Sequence, residues 1–151
     1  MTPLTVAEYA ADTVHSIGID RTLAEAQRLM QANHIRHLPV LEGKRLVGMV
    51  TERDLYMVEA LDGVDPETMP VEEAMSQAPY IVKAKTPLID AALYMWSHKI
   101  GSAVVMDGDQ VVGVFTRTNA LQALIELLAR GARPLRRHLP RETVHRQEAR
   151  R

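Results

Sequence analysis

The sequence predicts an α/β fold made of two β-α-β-β-α repeats packed about a pseudo-two-fold axis. Three observations carry that expectation. The chain aligns with itself without a gap at an offset of 65 residues. Turn glycines recur at the same place in both copies, and helix-start signals alternate with short apolar runs. At 151 residues and 46% hydrophobic content, the chain has room for one domain, or for two small ones fused into a common core.

Between residues 6–55 and 71–120 eleven positions are identical, among them Leu23/Leu88, Met30/Met95, Val40/Val105, Gly43/Gly108, Gly48/Gly113 and Thr51/Thr116. Conservative pairs such as Glu25/Asp90, Leu46/Val111 and Asp54/Asn119 keep the same register. Chance identity does not hold turn, core and acidic positions in one register, so the chain is read as a duplication. The first repeat is placed at 5–62 and the second at 70–128, with a Gly/Pro/Asp-containing linker between them.

Each repeat reads in the same order. A short apolar strand is expected at 16–19 and at 80–82. Thr22 with Glu25 three residues on forms a capping box, and Pro87 after Thr86 is expected at the first helical position. Leu23, Ala26 and Met30 then share one helix face, as do Leu88, Ala91 and Met95. Apolar runs at 38–41 and 103–106 follow, then glycine turns at Gly43 and Gly108. Return strands from Leu46 and Val111 complete a hairpin in each repeat. Closing helices start after Thr51 and Thr116, the second with Leu121, Leu124, Ile125 and Leu128 along one side. A unit of about 50 residues buries too little to stand alone, so the repeats are expected to pack sheet to sheet and leave two equivalent clefts.

Charge divides the chain unevenly. Residues 1–128 hold 10 Lys and Arg against 17 Asp and Glu, whereas 129–151 hold 8 Arg against Glu142 and Glu148. An acidic body with an arginine-rich C-terminal segment fits an arm on an acidic protein surface better than nucleic acid, because no aromatic is interleaved for stacking. The absence of cysteine removes disulfides, thiol nucleophiles and thiolate metal sites. Neither a membrane span nor a secretory signal is read, so a cytoplasmic location is expected. No nucleophile elbow, phosphate-loop lysine or zinc-protease motif occurs, which argues against an enzyme. His34 and His37, three apart, are read as loop residues and no metal is expected.

The motif with chemical content follows the hairpin. Gly48 within a strand lets another backbone or a ligand come close. Thr51 stands at a strand-to-helix turn, where unpaired amides favour an anion. Asp54 three residues on is a carboxylate that can accept charge-assisted hydrogen bonds. The same spacing is that of a capping box, and the two roles are compatible.

Asn33-His-Ile-Arg-His-Leu-Pro-Val40 with Leu46-Val-Gly-Met-Val-Thr-Glu-Arg-Asp-Leu55, and His98-Lys-Ile-Gly-Ser-Ala-Val-Val105 with Val111-Val-Gly-Val-Phe-Thr-Arg-Thr-Asn-Ala120, resemble a tandem pair of cystathionine-β-synthase (CBS) domains, a Bateman module. The resemblance spans about residues 5–128. It implies a regulatory module, without catalytic activity, that binds an adenine nucleotide (AMP, ADP or ATP) or S-adenosylmethionine and assembles as a homodimer. It also implies ligand-binding roles for Thr51 and Asp54. At the matching positions of the second repeat stand Thr116 and Asn119, and Asn119, lacking the charge, is expected to accept one ribose bond more weakly. Arg36 and His37 are phosphate candidates by the same resemblance, with Gly101 and Ser102 at the corresponding places. Arg53 and Arg117 at the closing-helix starts are further candidates, set against a reading as exposed helix charges. With no effector domain in this sequence, a signal is expected to reach a separate protein. The alternatives are a ligand-free dimerisation scaffold, or nucleic-acid or protein binding through the arginine-rich segment.

Overall fold

The computed structural model describes residues 2–11 and 14–131. The first repeat runs β1 (Ile17–Gly18), α1 (Leu23–Asn33), β2 (His37–Glu42), β3 (Arg45–Thr51) and α2 (Glu52–Glu59). The second runs β4 (Ile81–Lys83), α3 (Leu88–His98), β5 (Ser102–Asp107), β6 (Gln110–Thr116) and α4 (Arg117–Gly131). The β-α-β-β-α order read from the sequence holds in both. Each sheet has three strands, β1-β2-β3 and β4-β5-β6, the first pair parallel and the second an antiparallel hairpin. Both hairpins turn on a glycine in the left-handed region, Gly43 at φ 61° and Gly108 at φ 57°, a conformation that a Cβ would strain.

The α1 start is the expected one. Thr22 caps the helix, its hydroxyl accepting from the Glu25 amide at 3.2 Å while Glu25 accepts from the Thr22 amide at 2.9 Å. In the second repeat Pro87 is the N-cap residue with no side-chain cap, one place earlier than expected, and Thr86 turns its hydroxyl back to accept from the Lys83 amide.

Two short 3-10 turns precede the repeats, at Val6–Glu8 and Val71–Glu73, and they change partners. Fully buried Val6 packs with Phe115, Val82 and Met95 of the second repeat, and Val71 packs with Leu23, Val50 and Leu55 of the first. The exchange is reciprocal down to single hydrogen bonds. The Val6 amide donates to Thr86 O at 2.9 Å, and the Val71 amide to Arg21 O at 2.7 Å. Likewise Leu88 N donates to Leu4 O, and Leu23 N to Met69 O. In space, then, each core is closed by a segment that lies in front of the other repeat in the chain.

A third cluster joins the sheets: Met49 of β3 with Val104 and Val114 of β5 and β6. The Ser76 amide donates to Met49 O at 2.9 Å, and Ala11 donates to Val114 O at 3.1 Å. Gly48 and Gly113 permit these crossings. A Cβ on Gly48 would stand 2.7 Å from Ser76 O and 2.6 Å from Met75 Sδ; one on Gly113 would stand 3.0 Å from Ala11 O. The close approach that a strand glycine signals is therefore made here by backbone.

The apolar side of α4 does not face the core. Only Ala123 of that helix is buried, while Leu121, Leu124, Ile125 and Leu128 are each at least half exposed. Beside them α3 exposes Ile89, Leu93 and Trp96, giving one apolar helical face. No helix among the described residues is long and apolar enough to cross a membrane.

Candidate functional site

Two of the clefts between the repeats hold the residues singled out in the sequence. The first, about 730 Å³, is bounded by Thr51 and Asp54 on one side and by Tyr80, Tyr94, His98, Gly101 and Ser102 on the other. The second, about 420 Å³, is bounded by Thr116 and Asn119 against His34, Arg36 and His37. Both volumes are of the size that holds a small ligand. Each cleft thus joins the Thr-x-x-Asp/Asn turn of one repeat to the strand-entry residues of the other. The groove along α3 and α4 is different in kind, an open apolar surface near Trp96 and Leu124.

The first turn is held by a reciprocal cap. Thr51 N donates to Asp54 Oδ2 at 2.9 Å, and Asp54 N donates to Thr51 Oγ1 at 3.1 Å. This fixes the carboxyl group at the cleft wall. Its Oδ1 has no hydrogen-bond partner among the described residues. The cap and an acceptor facing the cleft therefore coexist in one side chain.

Asn119 behaves differently from the expectation. Its Oδ1 accepts from Thr116 N at 2.8 Å and from Thr116 Oγ1 at 3.0 Å, so the cap takes up the oxygen. What Asn119 has left for the second cleft is its amide Nδ2, a donor. The Thr116 amide needs an acceptor, which fixes the way the side-chain amide points.

The basic candidates do not share one place. Arg36 and His37 line the second cleft, opposite Asn119 rather than Asp54. Arg117 lines neither cleft and borders the groove of α3 and α4 beside Trp96 and Leu121, its Nη2 donating to Lys99 O at 3.3 Å. Gly101 lies beneath both His37 and Arg117, for a Cβ there would stand 3.6 Å from His37 Nε2 and 3.6 Å from Arg117 Nε. Burial, the Arg117 guanidinium and Arg36 hold the His37 imidazole below its usual pKa, against an upward pull from Asp54. Arg53 is exposed on α2 and lines neither cleft. His34 shares the second cleft, but no group of three or more potential metal ligands occurs among the described residues. The arginine-rich segment from Ala132 onward lies outside the described residues.

Sequence reading missed an aromatic ladder in the first cleft. Tyr80 stacks on Tyr94 at 4.0 Å between ring centroids, and Tyr94 stacks on His98 at 3.8 Å. Burial raises the Tyr80 phenol pKa, with Tyr94 and Asp90 adding to the effect. The signal was present: Tyr94 and His98 are four residues apart on one helix face, in a chain with 4% aromatic residues.

The comparisons agree with this architecture. The CBS-domain family model matches residues 6–60 and again 71–126. The chain belongs to the CBS-domain family. It is similar to the CBS domain-containing protein YhcV of Bacillus subtilis, at 32% identity over 101 residues that make up 67% of this chain and 71% of YhcV. Among solved structures, AcuB of Vibrio cholerae superposes with a TM-score of 0.74 at 30% identity, over 87% of this chain and 99% of that one. CBSX2 in complex with AMP superposes with a TM-score of 0.71 at 25% identity, over 82% and 97% of the two chains. This CBS pair therefore shares its overall fold with the two solved structures.

Proposed function

We propose that this CBS pair is a regulatory receptor for an adenosine nucleotide, bound in the first cleft and signalling to a protein partner. The observation that carries the reading is the Asp54 carboxylate, fixed by its own helix cap with Oδ1 left over at the wall of a cleft of about 730 Å³. A ribose has two adjacent hydroxyl donors, and bonds from them to a carboxylate are charge-assisted, each worth about 1.5–3 kcal/mol. Tyr94 is covered on both faces by the ladder, so a purine would be met by the outer faces of Tyr80 and His98. The AMP held by the similar protein CBSX2 supports this class of ligand. The second cleft offers a donor in place of a carboxylate, and is the weaker nucleoside site.

Calorimetric titration with AMP, ADP, ATP and S-adenosylmethionine tests the reading. Heat is expected with at least one of them, and Asp54→Asn, which keeps an oxygen for the cap, is expected to weaken binding tenfold or more, equivalent to about 1.4 kcal/mol. Silence with all four compounds, or full affinity in Asp54→Asn, would overturn it.

The signalling surface belongs to the same proposal. The face of α3 and α4 with Trp96, Leu121 and Leu124 is the place for a second copy of the chain, joined about a two-fold axis that runs between the two facing second repeats.

A further inference from the structure

We propose that residues 132–151 dock, within the same chain, on the exposed side of α2 and the linker that follows it, as a basic arm on the acidic face of the first repeat. The proposal stands apart from the nucleotide reading and needs no ligand in either cleft.

The negative charge of the body comes from one stretch. Residues 1–45 hold five carboxylates against five Lys and Arg, and residues 83–131 hold four against five. Between 46 and 82 eight carboxylates stand against Arg53 alone, and Arg53 lies at the end of α2 away from the linker. The pieces of this stretch are close in space, because Leu55, Val58, Val64, Met69 and Val71 pack in one core cluster. The cations beside them are already engaged: Arg21 pairs with Glu25 at 3.5 Å, and Arg28 with Glu67 at 3.1 Å. Asp62, Asp65, Glu72 and Glu73 are exposed and enter no ion pair among the described residues. Glu59 of α2 keeps Oε1 buried with no donor among the described residues, a carboxylate that a nearby cation would stabilise. The face is also apolar. Tyr56 and Met57 of α2 and Leu61 just beyond it are 50%, 61% and 60% exposed.

Residues 132–151 carry the complement. They hold seven Arg against Glu142 and Glu148, with Leu135, Leu139 and Val144 between them. Guanidinium groups pair with carboxylates through two parallel hydrogen bonds, which suits Arg to this face better than Lys. The second repeat, where the segment leaves the fold after Gly131, has no excess of carboxylates to hold it. Reach is sufficient, since twenty extended residues span about 66 Å, whereas a body of this size has a radius of gyration of about 14 Å. A tether of that length gives an effective concentration on the order of millimolar, which favours the arm's own chain over a second molecule.

The absence of cysteine makes a clean test possible, because a nitroxide on Gln147→Cys of the full chain is then the sole label. At low salt the amide NMR signals of residues 56–73 should lose most of their intensity, more than the hairpin tips at Gly43 and Gly108. Salt at about 1 M, where the Debye length is about 3 Å, should restore them. Asp62→Lys, Asp65→Lys and Glu72→Lys together should abolish the loss; all three side chains are exposed, so the fold is kept. Adding Arg136→Glu, Arg137→Glu and Arg141→Glu to that variant should bring the loss back. When nitroxide-bearing chain is mixed with isotope-labelled chain that has no nitroxide, the signals should stay intact. Loss in that mixture would put the arm on a second copy and overturn the proposal. So would full intensity at low salt, loss spread evenly over the surface, or loss that survives the reversal of Asp62, Asp65 and Glu72.

Discussion

Asp54 and Asn119 differ by one atom, and the cap decides what that atom means. Both side chains spend an oxygen on the amide of the preceding threonine, Asp54 at 2.9 Å and Asn119 at 2.8 Å. The remainder is an acceptor in one repeat and a donor in the other. From the sequence the Thr-x-x-Asp spacing was legible, but the prior claim of the cap on Asn119 Oδ1 was not, because it depends on backbone geometry at the turn. Asp54→Ala is expected to cost about 1 kcal/mol of stability through loss of the cap, whereas Asp54→Asn should melt near the unaltered protein; thermal unfolding compares them. Gly48→Ala forces a Cβ to 2.7 Å from Ser76 O, and should destabilise by about 1–3 kcal/mol in denaturant titration. The same change at Gly101, where contacts are 3.6 Å, should leave stability nearly unchanged. His37 gives a pH signature. Its folded pKa lies below the ordinary 6.5, so the unfolded chain takes up the proton more readily. That contribution to stability is present above pH 6.5 and lost as the pH falls through the lower folded value. His37→Gln should flatten the fall in melting temperature below pH 6.5.

Among the elements, strands, helices and hairpin turns were legible because each has a local cause: alternating apolar runs, the Thr22–Glu25 cap, and glycines at positive φ. The exchanged turns were not. Val6 and Val71 are an identical pair in the repeat, yet nothing in a linear pattern says that each serves the core of the other half. Nor could the periodicity of α4 tell which side faces inward, since small Ala123 meets the core and the leucines face out. The exchange predicts where damage will appear. Val6→Ala should cost about 2 kcal/mol, the worth of two buried methyl groups plus the cavity, and should raise hydrogen exchange in β5 and β6 before β2 and β3. Val71→Ala should give the reverse order. Equal loss of protection in both sheets from either change would contradict the assignment of those side chains to separate cores.

At the scale of the molecule, the two halves are alike in backbone and unlike in surface. The apolar helical face belongs to the second repeat; α1 has Arg28 and Gln31 exposed where α3 has Leu93 and Trp96. Leu124→Glu should shift the chain from dimer to monomer in sedimentation equilibrium, leaving the fold intact because that side chain is half exposed. A dimer of unchanged strength would move the contact elsewhere. The reciprocal turns have a historical corollary. A forebear with only one repeat, folded this way, would have had to lend its leading segment to a sister molecule and borrow one in return, so it could not have lived as a monomer. Joining two such repeats in one chain would make that exchange intramolecular, and would let the halves differ at their surfaces as these two do.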